Sequence, residues 1–137
     1  MANKKISQIS EGGIALGENK FKESQLLHEA IKAGEVVKIT ANGIELVNLD
    51  DNYSGVMKEH EEVDLDTDIA AGKYGDLVSE GYCAIFIENP AGTYYPGTFL
   101  YKGLGGCMCV TAMGSPWAIL ERTINTGDTV AIVKLLR

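Results

Sequence analysis

The chain has 137 residues and a formal charge of −7 at neutral pH. One domain is the default at that length, and an apolar share of 45% supplies enough side chain for a core. The acidic balance argues against a nucleic-acid binder, which needs a basic face, and against docking on anionic lipid.

Composition narrows the class further. Sixteen glycines stand against three prolines, and glycines spaced between short apolar runs mark many tight turns. That predicts a mainly β protein, a small barrel or sandwich. The start, "MANKKISQIS", is followed by no apolar stretch of signal-peptide length, and no segment approaches the ~18 uninterrupted apolar residues of a membrane-spanning helix. Three cysteines, Cys83, Cys107 and Cys109, are an odd count. Without a secretion signal they read as reduced thiols in a protein assembled in a cytoplasm.

Taken in chain order, residues 1–20 form an extended N-terminal arm without sustained periodicity, and residues 21–137 form one β-rich domain. The arm's apolar residues, Ile6, Ile9, Ile14 and Leu16, either dangle or order on a partner. Residues 21–33, "FKESQLLHEAIKA", predict the one helix, with Leu26, Leu27, Ala30 and Ile31 on one face, Ser24 as cap and Gly34 as stop. After Gly34 the pattern turns to strands. "EVVKIT" and "IELVN" flank Asn42-Gly43, the dipeptide of a type I′ hairpin. "GVM" at 55–57 opens another strand, followed by the acidic stretch "EHEEVDLDTD" and a buried strand, "YCAIFIE", at 82–88. "NPAGTYYPG" is a boundary. Beyond it come "TFLYK", a "GLGG" hairpin turn, "CMCVTA", "WAILERTI", the turn "NTGD" and "TVAIVKLL".

These pieces predict two similar β units. Ala33-Gly34 answers to Pro96-Gly97, Gly55 to Trp117, and Gly75-Asp76 to Gly127-Asp128. The acidic stretch is then an inserted surface loop of the first unit. In the last strand Val130 and Ile132 face one way, and Ala131, Val133 and Leu135 the other. A strand apolar on both faces belongs between layers or at a subunit interface, and is expected to pair with an early strand and close the structure.

No residues form a catalytic set. His28 sits on the expected helix and His60 in the acidic loop, both solvated. Cys107 and Cys109 lack the further ligands that a zinc site needs and read as small buried side chains. Asp64, Asp66 and Asp68 begin a calcium-loop pattern, but Ile69 and Gly75 stand where such a loop needs glycine and glutamate. A looser cation site and a solvated acidic loop both remain open for these aspartates. The chain therefore reads as a non-enzyme without cofactor or metal. Adjacent Tyr94 and Tyr95 in a Gly/Pro loop are either partner contacts or packing over a barrel end, and Trp117 is core.

The residues Ala33-Gly34-Glu35, Gly55-Val56-Met57, Ala118 to Glu121, and Gly127-Asp128 to Leu135 give the chain a family resemblance over 33–137. It resembles the small β-rich head decoration, or cement, proteins of tailed viruses. That resemblance implies a compact β-barrel or β-tulip-like fold. It also implies trimers or other homo-oligomers on the outer capsid surface, and an N-terminal segment that clamps the major capsid protein. The functional expectation is a virion structural protein, assembled in a host cytoplasm, with Ile6, Ile9, Ile14, Leu16, Tyr94 and Tyr95 as contact residues. The alternative is a small β-barrel ligand- or partner-binding module of a cellular complex, with the tyrosine loop 93–101 as its site.

Overall fold

A strand apolar on both faces needs neighbours on both faces, and the computed structural model, which describes residues 5–9 and 13–136, supplies them. Among the described residues, eleven strands follow a short 3₁₀ turn at Ile6–Gln8. They are β1 (Lys20–Leu26), β2 (Ile31–Lys32), β3 (Val36–Thr40), β4 (Gly43–Leu46), β5 (Gly55–Met57), β6 (Asp68–Ile69) and β7 (Tyr74–Phe86). Beyond the boundary come β8 (Phe99–Lys102), β9 (Met108–Cys109), β10 (Ala118–Leu120) and β11 (Val130–Leu135). The protein is mainly β and curls into barrel-like form, as the glycine spacing predicts. No helix among the described residues is long and apolar enough to cross a membrane.

The strands form two rings of the same connectivity. In the first, β1, β7, β5, β3 and β4 pair antiparallel in that order, and a parallel bridge from Leu27 to Ile44 closes the circuit. In the second, β7, β11, β10, β8 and β9 do the same, closed by a parallel bridge from Ile87 to Met108. The long strand β7 belongs to both. Its Tyr74 to Glu80 section pairs with β1, and its Gly81 to Phe86 section pairs with β11. Gly81, at φ +105°, lies at the handover, where the backbone of Glu18 leaves no room for a Cβ.

The duplication extends to individual hydrogen bonds. Gly34 N–H donates to Met57 O as Gly97 N–H donates to Leu120 O. Ser54 N–H donates to Val37 O as Trp117 N–H donates to Leu100 O. At the closing bridges, His28 N–H donates to Ile44 O as Glu88 N–H donates to Met108 O. These bonds span 2.8–3.0 Å in both rings. The register refines the sequence alignment: Val37 faces Gly55 and Leu100 faces Ala118, so Gly55 answers to Ala118 and not to Trp117. The turn glycine equivalent to Gly127 (φ +96°) is Gly72 (φ +90°), because Gly75 lies inside β7. The acidic stretch does lie in the longer of the two loops, between β5 and β7.

Each ring fills itself with one inward residue per element. The first holds Leu27, Ile31, Val37, Ile44, Met57, Ile69 and Leu77. The second holds Ile87, Tyr94, Leu100, Met108, Leu120, Ile124 and Val133, within a larger core that also takes in Val36, Val56 and Val78 of the first ring. Each fully buried Leu, Ile or Met contributes about 1.5–3 kcal/mol.

Three expectations need correction. The helix over 21–33 does not form. Residues 20–26 are strand β1, and of the four side chains placed on a buried helix face, Leu27 and Ile31 are buried while Leu26 and Ala30 are exposed. A helix of three turns is marginal in water, whereas β7 offers this segment an unpaired edge. Ser24 is no cap: it sits at φ 55° in a register shift, its N–H donating to Asp76 Oδ1. The first hairpin is not type I′. Thr40 pairs with Gly43, so Ala41 and Asn42 form the loop, and the positive φ (+125°) falls on Gly43 alone. The last strand does not pair with an early one but lies between β7 and β10.

Candidate interaction surface

The N-terminal segment is built into the fold where the structure describes it. Ile6 and Ile14 are fully buried and Ile9 is half-buried against the core. Ile6 packs on Gly34, where a Cβ would stand 2.8 Å from its Cδ1. Ile9 lines the same cleft as Val130 and Ile132, which accounts for the apolar outer face of β11. Polar ties fix the segment. Ser7 Oγ and N–H both donate to the Asp66 carboxylate, at 2.5 and 3.2 Å. The Ser7 hydroxyl is the main reason the Asp66 carboxyl is held below its ordinary pKa, with the Ser7 amide adding to it. Ile14 N–H donates to Glu59 Oε1, Ala15 bridges to Cys83, and Leu16 N–H donates to Tyr82 O. An arm reaching out over 1–20 is therefore not what the described residues show. Contact through Ile6 or Ile14 would require them to leave the core. Of the apolar four, only Leu16 is exposed.

The tyrosine loop separates its two aromatics. Tyr94 is half-buried, and its backbone exchanges both hydrogen bonds with Ile124, the counterpart of the Ile31–Ile69 pair of the first ring. Tyr95 is 65% exposed at a turn where Thr98 N–H and Oγ1 both donate to its carbonyl.

Sequence reasoning missed a row across the second ring. Tyr82 pairs with Lys134, Lys134 with Ile119, and Ile119 with Phe99, so four neighbouring strands present these side chains on one outer face. Phe99 is 45% exposed, Tyr82 38%, and Lys134 lies 5.6 Å from the Tyr82 ring centre. Alternation around buried Leu100 and Leu120 carried the signal, but β10 is only three residues long, too short for its period to stand out.

Elsewhere the side chains are engaged. His28 lies 3.8 Å from Glu45, and His60 Nδ1 accepts from Glu62 N–H. Asp68 faces Lys32 at 4.0 Å. Met108, not its neighbouring cysteines, is the buried member of "CMC"; Cys107 and Cys109 are half-buried on the opposite face. All three thiols are free. Burial raises every one above the ordinary range, Cys107 to about 11, so none is a poised thiolate. Among the described residues no group of three or more His, Cys, Asp or Glu side chains is arranged to hold a metal ion. A cavity of about 480 Å³ opens between the loop joining β4 to β5 and the loop joining β9 to β10, lined by Asp51, Tyr53, Lys102, Met113, Ser115 and Trp117. The Tyr53 and Trp117 rings meet on its wall with centres 4.8 Å apart and planes tilted by 46°, Tyr53 OH donates to Trp117 O, and Lys102 and Asp51 pair at 2.7 Å.

No family model matches this sequence, and no curated protein matches it. Among solved structures the chain is similar to one in "The capsid of Myoviridae Phage XM1", with a TM-score of 0.61 and 11% identity, covering 86% of this chain and 83% of that one. At that identity the likeness is one of fold.

Proposed function

We propose that this chain is a structural protein of a phage virion, a decoration or cement subunit that binds the outer capsid surface and acts by binding, not catalysis. The observation that carries the proposal is the fold match, over most of both chains, to a chain of a phage capsid. The capsid protein is the proposed partner, and many modest contacts repeated over a lattice are the proposed source of strength. The exposed Tyr95 supports this reading, since aromatic side chains are favoured at interfaces. The test is sedimentation of the purified protein with undecorated capsids. Saturable co-sedimentation supports the proposal, and a protein that stays in the supernatant at every ratio sinks it. The Tyr53–Trp117 cavity favours a second reading, a small-ligand module, whose mark would be saturable ligand binding that quenches Trp117 fluorescence.

A further inference from the structure

The two rings bury their interiors alike and treat their outer faces differently. In the first ring the outer row is Val36–Val56–Val78, paired in that order across β3, β5 and β7. All three valines are fully buried in the core that also fills the second ring. The hairpin loop of the second ring, between β8 and β9, sits at the end of that row. Val36 N–H donates to Gly106 O at 2.7 Å, and Gly106 N–H donates to Val47 O at 2.9 Å. Gly105 N–H donates to Asn48 Oδ1, and Leu49 N–H donates to Gly103 O. Gly106 has no Cβ because one would stand 2.8 Å from Leu46 Cδ2.

The register makes Phe99, Ile119 and Lys134 the counterparts of Val36, Val56 and Val78. The first ring's row has a ring of the same connectivity over it. The second ring's row is partly open: Phe99 is exposed and Ile119 half-exposed, while at the other end a Cβ on Gly17 would stand 3.3 Å from the Tyr82 ring. Leu16 and Tyr101 extend the exposed row, Leu16 through its amide to Tyr82 O and Tyr101 through the alternation of β8.

We propose that the row Tyr82–Lys134–Ile119–Phe99 is the face on which a second copy of this chain docks, presenting its first ring. The chain's own joint shows how a ring covers such a row: a hairpin loop leads, and its backbone meets the end of the row. The corresponding loop of a second copy is the Ala41-Asn42 turn between β3 and β4. Ile39 and Leu26 beside that turn are exposed, at 41% and 38%, which provides apolar surface to meet the row. The contact is head to tail, so repetition closes a ring of subunits or continues as a filament. Tyr82 and Phe99, the aromatic anchors at the two ends of the row, account for most of its strength. Self-association through this face is independent of any capsid contact.

The test uses the full-length chain. A photo-crosslinking phenylalanine analogue at position 99 is activated in a mixture of isotopically light and heavy copies, and crosslinked peptides are sequenced. Sedimentation velocity is run on the unmodified chain over a wide concentration series, and on Phe99→Asp and Ile119→Glu. The expected results are mixed-isotope crosslinks to peptides of residues 26–46, and association weakened about tenfold or more by either substitution with unchanged melting. Should Ile119→Glu fail to fold, Phe99→Asp at the more exposed position and the crosslinks decide alone. A monomer at all concentrations, crosslinks that return to residues around 99 itself, or association indifferent to Phe99→Asp would overturn the proposal.

Discussion

The first and second rings share strand order, register and hydrogen bonds, yet Val56 is fully buried and its counterpart Ile119 is half-exposed. The inside of a ring depends only on the ring: alternation sends one side chain per strand inward, and five strands meet there. The outside depends on what lies next to it. Duplication fixed the interiors twice, and position in the chain decided which outer face became core. The same contrast governs composition, with valines on the covered row and an aromatic, an isoleucine and a lysine on the open one.

The largest expected effects test the equivalence of the interiors. Met57→Ala and Leu120→Ala remove counterpart side chains that are both fully buried, and each should cost about 2–5 kcal/mol in urea unfolding. A loss confined to one ring would show that the rings are not energetically equivalent. The outer rows should respond unequally. Val56→Ser is expected to cost about 1.5–3 kcal/mol and Ile119→Ser less than about 1 kcal/mol, read from the same transitions. Equal costs would mean that Ile119 is buried in solution, as it would be in an assembly, so the comparison should be repeated at dilution.

The joint between the rings comes next. Gly106→Ala places a methyl group against Leu46 as well as straining a backbone at φ +79°, whereas Gly105→Ala strains a backbone at φ +65° with open space around it. Both should lose the ~1–2 kcal/mol of the left-handed conformation, and Gly106→Ala about 1–3 kcal/mol more. Calorimetric melting separates the two. The smallest effect concerns Glu35, beside that joint. Burial raises its carboxyl pKa above 4.5, partly offset by the Lys32 amide that it accepts. With the folded value above the unfolded one, its stabilising contribution is fully present below the unfolded pKa and is lost as pH rises through the folded one. Glu35→Gln keeps the acceptor oxygen and should be the more stable form at pH 7, with the advantage gone at pH 4. Urea midpoints at the two pH values check the sign.

Much of the fold was legible in the residues. Glycines at Gly34 and Gly97 start equivalent strands, and the "GLGG" hairpin forms where expected. The repeat itself could be read because turns and inward residues recur along the chain. Its register was one residue off at Trp117, since a three-residue strand gives alternation little length to act on. The helix over 21–33 was misread because Leu27 and Ile31 are four apart, a spacing that suits a helix face and equally suits two elements of one ring interior. Of the contact residues read from sequence, Ile6 and Ile14 went to the core, and Leu16 and Tyr95 remained on the surface.

By itself the sequence determined the strands, the turns and the identity of most inward side chains, because these follow from local backbone preference and a period of two. Only the tertiary structure decided that β7 serves both rings, that residues 5–9 and 13–16 lie along the second ring, and that one valine row is covered while its counterpart is open. Those outcomes depend on which distant surfaces meet, and nothing in a strand's own residues encodes its neighbour across the core.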